Sequence, residues 1–244
     1  AVASRRDFFC EKRGPREGFI VPGAWEILNR PNVLTAILHT DATTVAWALG
    51  LRNLQLPGPV LPLAGMPYDM ARNQACQVAL DNGFSHLFFL DSDVIAPPET
   101  VLRLLAHNLP LVSGLYCRRS PPHGVPVMIR NGSWMTKFPE NALVEVDLVG
   151  AGCLLLRRDL LEQCPPQRPG YRWFDWRVNF QGVNGPDGKP LYQPGECLSE
   201  DFTFNQHVRK VLGVKTYVDT GIRCRHIGNS QFSFGLSEPL VTAA

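Results

Sequence analysis

The chain has 244 residues, 45% hydrophobic and 19% charged, which suits a globular domain with a substantial core and excludes a low-complexity or disordered protein. Its formal charge of +2 comes wholly from residues 1–18, where five basic side chains face three acidic ones. The remainder is neutral, which gives no electrostatic case for a general nucleic-acid binder.

Residues 33–39 read as a buried first strand, and Asp41 as the N-cap of a helix running to about Leu51. Pro57 to Leu63 is an extended stretch interrupted by proline. Tyr68 to Leu80 has helical period, with Met70, Ala71, Cys76, Val78 and Ala79 on the buried side and Asn82-Gly83 as the stop. A strand ends at Asp91, a helix runs from Pro98 to Ala106, and Leu109–Leu115 is a further strand. This alternation is the pattern of an α/β sandwich with a largely parallel sheet. Strands are expected at Val125–Arg130, Leu143–Val149 and Cys153–Leu156, and a short helix at Asp159–Gln163. Residues 164–197 are rich in Pro, Gly and aromatics and read as a long functional loop. A helix over Glu200–Leu212 stopped by Gly213, a strand at Val214–Val218 and an extended tail at Ile222–Ile227 complete the series. No apolar run is long enough to cross a bilayer, and the first residues lack the charge placement and apolar stretch of a signal peptide. The seven cysteines show no CxxC pairing and read as reduced, buried thiols of a cytoplasmic protein.

The most informative segment is His86-Leu-Phe-Phe-Leu-Asp-Ser-Asp-Val94, an apolar strand that ends in two carboxylates. Buried charges must be paired or bind a metal, so the pair should emerge at the C-terminal edge of the sheet, where open α/β sheets bind ligands. In extended backbone, residues i and i+2 share a face, so Asp91 and Asp93 can both address one hard divalent cation. The plain alternative is that Asp93 caps a helix beginning near Pro97. Glu200 and Asp201 sit at a helix N-terminus, which by itself accounts for acidic residues there, with Ser199 as the cap. Arg72 on its helix is either solvated or a fork for phosphate, and His226 on the tail is either packed or a ligand. Gly150 and Gly152 allow a ligand close to the backbone, or form a bulge. Trp173 and Trp176 form a satellite core or a platform for flat ligand faces.

In order, the segments Met70-Ala-Arg-Asn-Gln74, Asp91-Ser-Asp93, Val149-Gly-Ala-Gly-Cys153, Ser199-Glu-Asp-Phe202 and Cys224-Arg-His226 resemble GT-A glycosyltransferases of the family-2-like superfamily, short bacterial and phage members included. The Ala-Arg-Asn followed by an aspartate pair is also similar to fungal Golgi mannosyltransferases. The resemblance covers roughly residues 33–228. It implies a Rossmann-like α/β/α sandwich with a mostly parallel central sheet and a smaller antiparallel acceptor-side sheet. It also implies one GT-A domain, with residues 1–32 as an N-terminal extension, 33–115 as the nucleotide-binding half, 116–228 as the acceptor and catalytic half, and 229–244 as a tail. The implied reaction is transfer of a hexosyl or pentosyl group from a UDP- or GDP-linked sugar, with Mn²⁺ or Mg²⁺ held by Asp91, Asp93 and His226 and Asp93 as the direct ligand. The base and ribose would lie at His39, Thr40 and Asp41, and other donor contacts at Arg72, Asn73, Ser92, Gly150 and Gly152. Asp201 matches the base that deprotonates the acceptor in inverting members, with Glu200 as the alternate. Trp173 and Trp176 would receive the acceptor, for which polysaccharide, lipid carrier, protein and a hydroxylated base in phage-type DNA are all open.

Two other classes compete. A nucleotidyltransferase also holds Mg²⁺ with paired aspartates on an α/β sheet, but a Gly-rich basic loop should follow the first strand and none does. An inactive sugar- or nucleotide-binding module has no need of Asp91, Asp93, Asp201 and His226 together.

Overall fold

The computed structural model describes residues 31–39, 42–119, 124–176, 198–227 and 231–232, all within one unit beginning at Pro31. Thr40 and Asp41 of the expected donor site lie outside them.

A seven-stranded sheet runs in the order β2-β1-β3-β10-β5-β11-β8. Its strands are β1 (Val33–His39), β2 (Val60–Ala64), β3 (His86–Asp91), β5 (Leu111–Leu115), β8 (Leu143–Val146), β10 (Cys153–Arg157) and β11 (Thr216–Arg223). Five share one direction. Only β10, wedged antiparallel between β3 and β5, and β8 at the edge oppose them. The expected mostly parallel sheet is what the chain forms. Two small antiparallel sheets flank it. One joins β4 (Val94–Ile95), β12 (Arg225–Ile227) and β13 (Gln231–Phe232); the other joins β6 (Met128–Arg130), β7 (Ser133–Trp134) and β9 (Leu148–Val149).

Alternation along the central strands buries both faces. Leu34, Ala36 and Leu38 of β1 with Leu87 and Phe89 of β3 face α2 (Tyr68–Asp81), α4 (Arg158–Gln163) and α5 (Glu200–Leu212). Val33, Ile37, Phe88 and Leu90 face α1 (Val45–Asn53) and α3 (Thr100–Ala106). The result is a three-layer sandwich. Among the described residues no helix is long and apolar enough to cross a membrane, and Cys76, Cys117, Cys153, Cys164 and Cys224 are free and buried.

Several local expectations shift. Helix α1 begins at Val45, capped by Thr44, whose hydroxyl accepts the Trp47 N–H at 3.1 Å, so the start lies later than an Asp41 cap requires. Met70, expected inside, is 53% exposed, while Arg72 takes the buried stripe with Ala75, Cys76 and Ala79. Helix α3 starts only at Thr100, with β4 between it and Asp93, so Asp93 caps no helix. Gly213, at φ +67°, stops α5 as the sequence suggests.

Candidate active site

The parallel strands β1, β3, β5 and β11 all deliver their C-terminal ends to one edge of the sheet. Because β10 runs the other way, its leading loop Val149–Gly152 reaches the same edge. Helix α5 precedes β11, so its N-terminus is there too. Topology alone therefore assembles Asp91, Asp93, Tyr116, Gly150–Gly152, Glu200, Asp201 and His226, residues far apart in the chain.

Asp91 and Asp93 do not share a face. Strand β3 ends at Asp91, and Ser92 and Asp93 form a turn. Asp91 is bound by Arg72, whose Nη2 lies 3.1 and 3.3 Å from its two oxygens. The same guanidinium donates from Nε to Glu200 Oε1 at 3.1 Å and from Nη1 to the Ala151 carbonyl at 3.4 Å. Arg72 is 2% exposed and lies over the Phe89 ring at 5.1 Å. It is the internal counter-ion to two carboxylates beneath the site, Glu200 buried and Asp91 partly exposed. Burial pushes the Asp91 carboxyl up, with Asp93 and Asp201 adding to the shift and Arg72 working against it. Trp47 donates to the Asp91 carbonyl at 3.0 Å, and Ser92 N–H donates to the Leu38 carbonyl at 3.1 Å, fixing the turn against β1 and α1.

Asp93 turns toward β12. Its Oδ1 faces His226 Nε2 at 3.4 Å, and its Oδ2 takes Arg119 Nη1 at 2.7 Å. His226 is 8% exposed, and its Nδ1 lies 2.6 Å from the Cys117 carbonyl, which can only accept. With Nδ1–H spent there, Nε2 and Asp93 Oδ1 are two electron-rich atoms aimed at each other. Only a proton or a cation between them makes that arrangement favourable. Burial opposes ionisation of Asp93, but the hydrogen bond and charge of His226 and the charge of Arg119 outweigh it and hold the carboxyl below its ordinary range. Among the described residues no group of three or more His, Cys, Asp or Glu side chains is arranged to hold a metal, so a cation here would need further ligands from a bound substrate.

Asp201 opens α5. Its Oδ1 accepts Phe202 N–H at 2.8 Å and the Ser199 hydroxyl, while Oδ2 accepts Ala151 N–H at 3.1 Å. Ser199 flanks the helix as expected but gives it no side-chain cap, because its hydroxyl is turned to Asp201. Next door, Gly152 N–H donates to the Tyr116 hydroxyl at 3.0 Å. A Cβ on Gly150 would lie 2.0 Å from that hydroxyl, and one on Gly152 would lie 3.0 Å from the ring, so these glycines make room for Tyr116 rather than for a ligand. The ring of Tyr116 stands edge-on to His226 at 5.5 Å, and burial, then Asp201 and Asp91, push its phenol well above the ordinary range. Tyr116 thus links the His226 side of the site to the Asp201 side.

The remaining expected residues divide. Asn73 donates to the Asp69 and Phe174 carbonyls and accepts from Trp173 N–H and Phe174 N–H. Its hydrogen-bonding capacity is spent holding the Trp173–Phe174 segment onto α2, with none left for a donor. Trp173 is 3% exposed and donates to the Leu161 carbonyl at 2.9 Å, a core residue; Trp176 at 41% is the exposed one. His39 lines a cleft of about 420 Å³ with Leu38, Leu63, Met66, Pro67 and Tyr68, at the ends of β1 and β2. That volume suits a small organic ligand. Tyr116 and Arg119 escaped the sequence reading. The signal available for them was their place just past an apolar strand, the same signal that marked Asp91.

Glu200 supplies a measurable consequence. Burial, then the charge of Asp201, pushes its carboxyl up to about 7 against the opposing pull of Arg72, from an ordinary value of 4.5. Between those two values the folded state keeps a proton that the unfolded chain has released, so stability falls as pH rises through this window. Glu200→Gln keeps an acceptor for Arg72 and cannot ionise. Urea midpoints at pH 5 and pH 8 should show the wild type losing stability relative to the variant, and parallel pH profiles would contradict the shift.

No protein-family model matches the sequence, and neither does any curated relative. The chain is similar in structure to the crystal structure of A197 from STIV, with a TM-score of 0.55 and 16% identity over 84% of this chain and 94% of that one, a likeness of fold. Looser likenesses, with TM-scores of 0.30 and 0.37, are to a glycosyltransferase involved in the glycosylation of the major capsid of PBCV-1 and to apo-UDP-glucose pyrophosphorylase. The first has 15% identity over 54% of this chain and 62% of that one. The second has 10% over 79% and 75%.

Proposed function

We propose that this chain is a metal-dependent glycosyltransferase of the GT-A type, moving a hexosyl or pentosyl group from a UDP- or GDP-linked sugar to an acceptor hydroxyl. The observation that carries this reading is His226. Its Nδ1–H is fixed by the Cys117 carbonyl and its Nε2 is aimed at Asp93 Oδ1, the outer-sphere arrangement typical of a metal-binding imidazole. One carboxylate oxygen and one imidazole nitrogen fit Mn²⁺ or Mg²⁺, with a diphosphate completing the coordination. Bound there, the cation would neutralise charge on the departing nucleoside diphosphate.

The chain's own residues do the rest. The cleft beside His39 takes the nucleoside, and residues 33–115 form the donor half of a single domain. Arg72 holds Asp91 and Glu200 in place below the donor and does not touch it. Asp201, whose Oδ2 carries only the Ala151 N–H among the described residues, has a lone pair to accept the acceptor's proton as the new bond forms. Trp176, on the 116–228 half, offers the acceptor an exposed aromatic face. Polysaccharide, protein and a hydroxylated DNA base all present the hydroxyl that Asp201 requires. The five buried free thiols support a reducing, cytoplasmic setting.

The test is a screen of nucleotide sugars with Mn²⁺, read by mass spectrometry as donor consumption with and without acceptors. Consumption of none of them would refute the reading. Within it, His226→Ala should raise the Mn²⁺ requirement by about 10- to 100-fold, the range for disturbing a metal's supporting contacts, with a smaller effect on melting temperature. An unchanged Mn²⁺ titration would make His226 a packing residue only.

A further inference from the structure

We propose that Arg119 is exchanged between two anions, holding Asp93 until a diphosphate arrives and then transferring to it, so that cation and diphosphate bind cooperatively. The inference rests on the metal reading above. The two oxygens of Asp93 are divided, Oδ1 toward His226 and Oδ2 to Arg119 at 2.7 Å. A dication entering between Asp93 and His226 would share one carboxylate with a guanidinium, and the repulsion between them opposes binding of the cation alone. A diphosphate that arrives with the cation removes this conflict. It offers several anionic oxygens, and a guanidinium fork matches phosphate better than it matches half of a carboxylate.

The surroundings let Arg119 move while its backbone stays. Its side chain is 54% exposed, whereas the residues just before it are tied down. Cys117 pairs with Pro126 and gives its carbonyl to His226; Arg118 N–H donates to the Val125 carbonyl at 2.9 Å, and the Arg118 guanidinium lies 4.8 Å from the Trp134 ring. Arg119 therefore follows directly on a segment held in place beside Asp93. Arg72, the other cation near the aspartates, is enclosed and already shared between Asp91 and Glu200, so it cannot take this part.

The test reads binding without any turnover. Mn²⁺ affinity is measured by thermal-shift titration of the full chain, alone and with inorganic pyrophosphate, with a protein-free control for the pyrophosphate–Mn²⁺ complex. In the wild type, pyrophosphate should tighten Mn²⁺ by roughly 5-fold or more, the lower end of coupling between linked sites. Arg119→Gln should bind Mn²⁺ alone more tightly than the wild type and lose most of the gain from pyrophosphate. Arg119→Lys, which keeps the charge without the fork, should keep the weak affinity for Mn²⁺ alone and lose part of the gain. Equal Mn²⁺ affinities and equal gains in wild type and Arg119→Gln would overturn the exchange and leave the metal site standing. No Mn²⁺ binding to any of the proteins, with pyrophosphate or without, would overturn both.

Discussion

Asp93→Ala should yield a folded protein that transfers no sugar. Asp93 lies in the turn after β3, part-exposed, and its side-chain ion pairs among the described residues are with Arg119 and His226. Its loss releases Arg119, half in solvent already, and an ion pair of that exposure contributes at most about 1 kcal/mol. His226 stays pinned by Cys117. What disappears is the one carboxylate facing the imidazole, and with it metal-dependent donor binding. EDTA should reproduce the defect in the wild type, and added Mn²⁺ should restore the chelated wild type but not the variant. Wild-type turnover by Asp93→Ala in the presence of chelator would end the metal hypothesis. Asp91→Ala makes the contrast. It deprives a buried arginine of one of its two carboxylates, and because Asp91 is partly exposed and Glu200 remains, the cost lies below the roughly 3–5 kcal/mol of breaking a fully buried pair. Two aspartates separated by one residue should thus fail in different assays: Asp93 in turnover with a normal melting temperature, Asp91 in stability first.

Asp201→Asn should lower turnover by roughly two to four decades, the range for losing a positioned proton acceptor. Donor and metal binding should persist, because Asp201 contacts neither Asp93 nor His226 among the described hydrogen bonds. The swap is not silent for the fold. An asparagine must set its NH₂ against either the Ala151 N–H or the Phe202 N–H, leaving one donor without an acceptor at a cost of about 1–3 kcal/mol. Near-wild-type turnover would move the base to Glu200 or point to a retaining mechanism, and the anomer of the product, read by NMR, separates these.

Chain order and apolar pattern disclosed the architecture because strands buried on both faces must be continuous apolar runs. Leu87 to Leu90 is such a run, and the first charge after it marks the sheet edge. Asp201 and His226 stand out in the sequence only through the resemblance to GT-A enzymes; the topology then brings the start of α5 and strand β12 to the edge where β3 ends. Side-chain direction was less legible. Asp91 and Asp93 were given a common face on the premise of extended backbone, but the strand ends between them. Arg72 reads as a solvated side chain or a fork for donor phosphate because arginine is rarely buried, although its spacing from Cys76 and Ala79 places it on the inner stripe of α2. By resemblance Asn73, Gly150, Gly152 and Trp173 read as ligand contacts, although their partners lie inside the protein. The contacts of Asn73 with residues 173 and 174 and of the two glycines with Tyr116 span 34 to 101 positions of the chain, and no local pattern encodes contacts that long.

The collar of glycine around Tyr116 bears on how this protein can be altered. The Tyr116 hydroxyl fills the space in which any larger residue at 150 would place its first side-chain carbon, and the ring crowds the same space at 152. Val127 also stands 2.8 Å from the first side-chain carbon a residue at 150 would carry, so positions 116, 127 and 150 vary together, with 152 tied to 116. A library that randomises residue 150 or 152 alone should return glycine almost exclusively, whereas one that varies them together with 116 and 127 should recover paired solutions, smaller residues at 116 and 127 opposite alanine or serine in the loop. The same loop hands Ala151 N–H to Asp201 and the Ala151 carbonyl to Arg72, so such compensated combinations are the natural route for re-aiming the Asp201 carboxylate without touching the acidic residues themselves.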